Sequence, residues 1–139
     1  MPDPRAVLLD ARSVVVQDFP DRAVPDALTR AGLSVVIYGG PSETDVLVSE
    51  LSDGGIVHRP LGHYPERADL LYTYRPLAEL EEILDEASRL RVRTIWRQPP
   101  VDSNDTDADE WRRRVEAAGI AYLDNPPIDQ LARAITREP

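Results

Sequence analysis

The stretch DLLYTYRPLAELEEILDEASRLRVRTIWRQ, residues 69–98, decides the fold of this chain. It begins with a short apolar run that stops at Pro76, and proline suits the first helical position because the N–H it lacks is unpaired there. Apolar residues then recur at helical spacing, at Leu77, Leu80, Ile83, Leu84, Ala87 and Leu90. A second β-branched run ends in Trp96, Arg97 and Gln98. The pattern predicts a strand, a helix that begins at Pro76 and a second strand, which together form a βαβ unit.

The same alternation of short strands and helices continues along the rest of the chain. Five short apolar runs predict parallel, neighbouring strands: Ser13–Gln17, Leu33–Tyr38, Asp69–Tyr74, Arg93–Trp96 and Ile120–Leu123. Ser42 and Asp45 form a capping-box pattern before further apolar residues, which favours a helix there, and GIVHRP at 55–60 predicts a short strand. Right-handed crossovers place helices on both faces of such a sheet. We therefore expect one three-layer, doubly wound α/β domain over residues 1–139, with a mainly parallel sheet of five or six strands.

Composition excludes several classes of function. The formal net charge is −9, which argues against nucleic acid, because phosphate binding needs a basic face. All 16 basic residues are arginine, so any cationic side chain that holds an anion is a guanidinium. The chain has no cysteine, hence no disulfide and no thiolate site. It has no apolar run of membrane-spanning length and no signal-peptide pattern, so we expect a cytoplasmic protein that does not contact the membrane.

Candidate ligand-binding residues follow from the predicted sheet. In open parallel sheets, ligands bind beyond the carboxyl ends of the strands, where the strand order reverses. The residues at or just after those ends are Gln17, Asp18, Tyr38, Gly39, Gly40, Tyr74, Arg75, Trp96, Gln98 and Asn125. Arg75 precedes a predicted helix N-terminus, so it can bind a ligand anion or form an ion pair with a nearby carboxylate. Trp96 can stack on an adenine or pack in the core. We expect Arg75, Trp96 and Gln98 to share a pocket.

The sequence contains no recognisable catalytic or metal-binding motif. His58 and His63 are not accompanied by a third ligand at a fixed spacing. The acidic segment DSNDTDADE, residues 102–110, lacks the central glycine of a calcium loop. No G-x-S-x-G elbow is present. We therefore expect no metal and favour a non-catalytic protein, with a small hydrolase or transferase that uses Asp18 or Asp124 as the remaining enzyme hypothesis.

These strand ends resemble those of the small CoA-binding proteins with a Rossmann-like fold, relatives of the CoA-binding domain of succinyl-CoA ligase α subunits. Tyr74-Arg75-Pro76 stands where the family has Phe-Arg-Arg, and Trp96-Arg97-Gln98 matches its Trp-x-Gln. The segment VEAAGIAYLDNPPI, residues 115–128, is similar to the family's Ala-Gly turn and last strand, although Asp124-Asn125-Pro126 replaces Asp-Arg-Cys. The resemblance implies a single CoA-binding-like Rossmann domain.

The first strand departs from the family pattern. The family has a Gly-x-Ser turn there, whereas VVVQDFPDRAVP, residues 14–25, has no glycine. Asp18 and Asp21 lie where an anion would approach, and a carboxylate repels phosphate. We therefore expect CoA to bind weakly or not at all. One hypothesis is a non-catalytic CoA- or nucleotide-binding module with a degenerate phosphate loop. The alternative is a ligand-free member that acts through protein contacts, as a homodimer or with a protein partner.

Overall fold

A computed structural model of the protein describes residues 3–38, 46–99 and 105–136. Seven strands are described: β1 (Ser13–Val16), β2 (Ser34–Tyr38), β3 (Val46–Ser52), β4 (Gly55–Pro60), β5 (Leu70–Thr73), β6 (Thr94–Arg97) and β7 (Ala121–Leu123). The α-helices are α1 (Pro4–Asp10), α2 (Ala23–Arg30), α3 (Leu80–Leu90), α4 (Asp105–Ala117) and α5 (Ile128–Thr136). None of these helices is both long and apolar enough to cross a bilayer.

The seven strands form one sheet in the order β4-β3-β2-β1-β5-β6-β7. The strands β2, β1, β5, β6 and β7 are parallel neighbours, which confirms the five strands predicted as a parallel set. The strands β3 and β4 are antiparallel additions at one edge. The expected count of five or six strands was therefore too low, because β3 was not predicted.

Residues 46–52 form a strand where a helix was predicted. Asp53 and Gly54 both have positive φ, of 51° and 83°, and Ser52 pairs with Gly55 across them. An Asp-Gly pair with positive φ is the favoured two-residue hairpin turn, so it directs the chain from β3 straight back into β4. The apolar run before this turn is short enough to fit the period of a helix or of a strand, and it forms a strand because it pairs with β2. The capping pattern at Ser42 and Asp45 lies outside the described residues.

Helices cover both faces of the sheet, as predicted for a three-layer, Rossmann-like α/β domain. One face packs against α1, α2 and α5, in a core that includes Val14, Val16, Leu70, Tyr72 and Trp96. The opposite face packs against α3 and α4, in a core that includes Val15, Leu71, Ile95, Trp111 and Tyr122. Successive residues of a strand point to opposite faces, so each central strand contributes to both cores.

The helix after β5 begins later than predicted. Pro76 is extended, with φ −73° and ψ 162°, and precedes a 3₁₀ turn at Leu77–Glu79 before α3 begins. Proline is therefore the residue before the first turn, not the first helical residue. The apolar residues of α3 face the core as the spacing predicts, with Leu80, Ile83, Ala87 and Leu90 buried.

The strand order reverses between β1 and β5. From β1 the chain moves outward through β2, β3 and β4, and it then returns to β5 on the other side of β1. The loops that leave β1 and β5 therefore diverge at the carboxyl edge of the sheet. This divergence leaves an opening, and it is the usual ligand position in an open α/β sheet.

Candidate functional site

A cavity of about 190 Å³ lies at the carboxyl edge, between the strand ends and α3. Three of the residues predicted from sequence line it, namely Gln17 after β1, Tyr38 at the end of β2 and Arg75 after β5. The other lining residues come from the 3₁₀ turn and α3: Glu79, Glu82, Ile83 and Glu86. Three of the candidates thus converge as the strand-end rule predicts.

Arg75 is held by two carboxylates of the chain itself. Its Nε lies 3.7 Å from Asp18 Oδ2, and its Nη1 lies 3.3 Å from Glu79 Oε1. The Arg75 and Asp18 side chains are partly exposed, at 34% and 46%. Of the two interpretations given for Arg75, the structure contains the ion pair. A ligand anion that approaches Arg75 must therefore compete with Asp18 and Glu79.

The two aspartates of the loop between β1 and α2 accept hydrogen bonds from backbone N–H groups of the same segment. The Phe19 N–H donates to Asp18 Oδ1 at 2.9 Å, and the Ala23 N–H donates to Asp21 Oδ1 at 2.7 Å. Backbone N–H groups at the start of a helix are the donors that normally bind a phosphate in this kind of fold. In this chain the Ala23 N–H, at the start of α2, and the Phe19 N–H, in the loop before it, both donate to the loop's own aspartates.

The wall of the cavity on α3 is acidic and is backed by aromatic side chains. Glu86 pairs with Arg89, and this hydrogen bond raises the pKa of the Arg89 guanidinium above its ordinary value. The Arg89 guanidinium also lies 5.9 Å from the centre of the Tyr64 ring, which in turn lies 5.3 Å from the Tyr38 ring. Among the described lining residues there are one arginine and three glutamates, and this excess of negative charge weakens the binding of an anion.

Trp96 and Gln98 do not line this cavity, so among the described residues it is not the common pocket predicted for Arg75, Trp96 and Gln98. Trp96 is buried in the core beside α1, α2 and α5, and its Nε1–H donates to the Pro126 carbonyl at 3.0 Å. Gln98 Oε1 accepts a hydrogen bond of 2.7 Å from the Tyr72 hydroxyl, and burial raises the pKa of Tyr72 well above its ordinary value. Trp96 points to the face of the sheet opposite α3, because side chains alternate along a strand.

The remaining candidates lie apart from the cavity or outside the described residues. Tyr74 is half-buried and packs against the same core as Trp96. Asn125 is exposed in the loop after β7. Gly39 and Gly40 lie outside the described residues. In the part of the chain that is described, no group of three or more histidine, aspartate and glutamate side chains is placed to hold a metal ion.

A polar network at the ends of β6 and β7 was not predicted. Arg97 is fully buried, and its Nη1 donates to the Tyr122 hydroxyl at 3.2 Å while its guanidinium lies 5.1 Å from the centre of the Trp111 ring. The Tyr122 hydroxyl donates to Asp124 at 3.1 Å, and burial raises the pKa of Tyr122 to about 12. The signal was present in the sequence, because Arg97 is two residues after Ile95 and therefore shares its inward face.

Both aspartates of the enzyme hypothesis are engaged in other interactions. Asp18 pairs with Arg75 and accepts the Phe19 N–H. Asp124 accepts from Tyr122, and its Oδ1 lies 3.8 Å from Arg112 Nη2. The Arg112 guanidinium also lies 4.9 Å from the centre of the Tyr122 ring. Each carboxylate is thus held by an arginine and a hydrogen-bond donor.

Comparisons with known proteins bear on the family and the fold. Residues 17–128 match the family model for a CoA binding domain. The structure of the cell-free protein ID.343 from Thermus thermophilus is similar, with a TM-score of 0.64 at 23% identity over 94% of this chain and 95% of that one. Prb, a protein redesigned for binding, has a TM-score of 0.66 at 14% identity over 99% of this chain and 92% of its own.

A third solved structure, a protein of unknown function from Methanothermobacter thermautotrophicus, has a TM-score of 0.51 at 12% identity over 88% of this chain and 84% of its own. At these identities the likeness shows the fold alone. No curated protein matches the chain.

Proposed function

Because this chain belongs to the family of CoA-binding domains, we propose that it is a non-catalytic module that binds CoA, or a smaller nucleotide, weakly at the carboxyl edge of the sheet. The observation that carries the proposal is the cavity at the reversal of strand order, into which the first, second and fifth strands deliver Gln17, Tyr38 and Arg75. Arg75 is the cation of this site. Tyr38 supplies an aromatic surface beside it, suited to a base or a pantetheine chain.

Weak binding follows from the size of the cavity. Its volume of about 190 Å³ is below the range of roughly 300–1,000 Å³ that is usual for ligand pockets. The cavity can enclose one part of CoA, and the rest of the molecule would lie on the surface. Little of the ligand's surface would then be removed from water.

The charges around Arg75 lower the affinity further. A pyrophosphate would have to displace Asp18 or Glu79 from Arg75, and it would meet Asp18 and Asp21 at the loop that normally binds it. We describe this as a degenerate phosphate loop. We propose no catalytic role for Asp18, which pairs with Arg75 beside the cavity, or for Asp124, which pairs with Arg112 at the end of β7.

Calorimetric titration with CoA at low salt tests the proposal. We expect a dissociation constant of about 0.1–1 mM, and a further loss of about fivefold or more in Arg75→Gln because the arginine of the described lining is removed. Arg30→Gln is the matched control, since Arg30 is exposed in the last turn of α2, away from the cavity. Micromolar or tighter binding would contradict the degenerate loop, and equal affinity in wild type and Arg75→Gln would contradict the site.

The second candidate function is a ligand-free member that acts through protein contacts. It is favoured by two exposed apolar side chains on the edge hairpin, Leu51 on β3 at 54% and Val57 on β4 at 46%. The edge strand β4 also has one side without a strand partner among the described strands, and such an edge can pair with another chain. Size-exclusion chromatography with light scattering discriminates the ligand-free function from the CoA-binding function. A wild-type dimer that becomes a monomer in Val57→Lys, together with no binding of CoA, would favour protein contacts.

A further inference from the structure

Arg97 is a buried guanidinium with an unused edge. Its relative exposure is 1%, and its Nη1 donates to Tyr122. Its Nε and Nη2 have no hydrogen-bond partner among the described residues. The same is true of the hydroxyl of Thr73, which is also fully buried and is the register partner of Arg97 across β5 and β6. Two buried side chains with three unsatisfied donor groups between them are therefore register partners at the carboxyl ends of adjacent strands.

The described residues do not neutralise the charge of Arg97. A guanidinium stays protonated in proteins, and a buried charge without a counter-ion is strongly unfavourable. Asp124 is linked to Arg97 only through the Tyr122 hydroxyl, and it also pairs with Arg112. Tyr122 is neutral at physiological pH, since the ordinary pKa of a phenol is about 10 and burial raises the pKa of Tyr122 further. The ring of Trp111 faces the guanidinium but supplies no anion.

The unused edge has the shape that binds an oxyanion. The Nε–H and the outer Nη2–H of a guanidinium are parallel and match two oxygens of a carboxylate or a phosphate. The adjacent Thr73 hydroxyl adds a third donor, and burial strengthens each hydrogen bond by excluding water. We propose that Arg97 and Thr73 form a second ligand site, which binds one carboxylate or phosphate group.

This site is separate from the cavity at Arg75, and the inference does not depend on CoA binding there. Arg97 is the last residue of β6, and its side chain faces Trp111 of α4. Arg75 follows β5, and its side chain pairs with Asp18 and Glu79. The oxyanion has two sources, a free small anion or the anionic group of a larger ligand. Inorganic phosphate and acetate test the first source, and CoA tests the second.

Thermal unfolding of the full chain with and without anion tests the proposal, at ionic strength held constant with chloride. We expect phosphate or acetate to raise the Tm of wild type saturably, by about 3–6 °C. Arg97→Met should begin at an equal or higher Tm without anion, because it removes an unpaired buried charge, and it should lose the response. Thr73→Val should keep a weaker response. Arg113→Gln, on the outer face of α4, is the control and should respond like wild type.

Three results would overturn the proposal. The first is an equal response in wild type and Arg97→Met, which would mean nonspecific stabilisation by salt. The second is a lower Tm of Arg97→Met without anion, which would make Arg97 a structural residue. The third concerns Asp102, the first carboxylate after β6 in the sequence, which lies outside the described residues. If wild type showed no response to anion and Asp102→Asn did, the carboxylate of Asp102 would be the counter-ion of Arg97, and the proposed site would be occupied by the chain itself.

A response to CoA alone would identify the larger ligand as the source of the oxyanion. That response should be present in wild type and in Arg75→Gln, and lost in Arg97→Met.

Discussion

Replacing Asp18 by asparagine removes a carboxylate that competes with a ligand phosphate for Arg75. Asp18 Oδ2 lies 3.7 Å from Arg75 Nε, while its Oδ1 accepts the Phe19 N–H at 2.9 Å. Asparagine keeps an Oδ1 acceptor for the Phe19 N–H, so the local turn is retained and only the charge is lost. We expect Asp18→Asn to bind CoA more tightly than wild type does.

The size of the gain follows from the distance between the charges. A phosphate bound to Arg75 would lie about 4 Å from the Asp18 carboxylate, where two unit charges repel by about 1 kcal/mol in water and about 4 kcal/mol at an effective dielectric constant of 20. The Asp18 side chain is 46% exposed, which places the repulsion near the lower value. A relief of about 1–1.4 kcal/mol corresponds to an affinity gain of about fivefold to tenfold.

Calorimetric titration of both proteins with CoA at low ionic strength measures this gain. The gain should shrink at about 1 M salt, where the screening length falls to about 3 Å. Asp53→Asn is the matched control, because it removes the same charge in the β3–β4 turn, and asparagine tolerates the positive φ of 51° there. Unchanged or weaker binding in Asp18→Asn would refute the reasoning. An equal gain in Asp53→Asn would show that net charge, and not the pairing at Arg75, limits the affinity.

Two further predictions concern residues at the strand ends. Trp96→Phe should lower the free energy of unfolding in urea by about 1–2 kcal/mol, because packing and the hydrogen bond to Pro126 are lost. It should leave the affinity for CoA unchanged. A clear loss of affinity would show that Trp96 contacts the ligand. The pKa of Tyr122 rises from 10 to about 12 on folding. Between these pH values the unfolded chain has lost a proton that the folded chain keeps. The free energy of unfolding therefore falls as the pH is raised, by up to about 1.4 kcal/mol per pH unit. Denaturation at a series of alkaline pH values measures that slope, and an identical slope in Tyr122→Phe would show that this tyrosine does not cause it.

The antiparallel edge of the sheet shows where local pattern reasoning fails. Residues 46–52 carry an apolar spacing that fits a helix or a strand, and a short segment has too few repeats to separate the two periods. Asp53 and Gly54 were the better signal, since a two-residue turn with positive φ specifies a hairpin. Pairing with β2 then sets the register of β3, and that pairing is a tertiary interaction.

The sequence by itself determined the parallel strands and the helices of the βαβ units, and it indicated the carboxyl edge of the sheet as the expected ligand position. Those features depend on the period of apolar residues and on the direction of parallel strands, which are properties of short segments. They placed Gln17, Tyr38 and Arg75 among ten strand-end candidates, and these three line the cavity, whereas the trio predicted to share a pocket was Arg75, Trp96 and Gln98.

Only the tertiary structure decided which charges lie next to which. Arg75 could be recognised as a strand-end cation, but its pairing with Asp18 joins residues 57 positions apart, and the chain has 25 acidic residues as alternatives. Trp96 and Arg97 are neighbours in sequence, yet one packs beside α5 and the other beside α4 because they point to opposite faces. Electrostatic energies change steeply over a few ångströms, so the character of both sites depends on side-chain positions that the packing of distant elements sets.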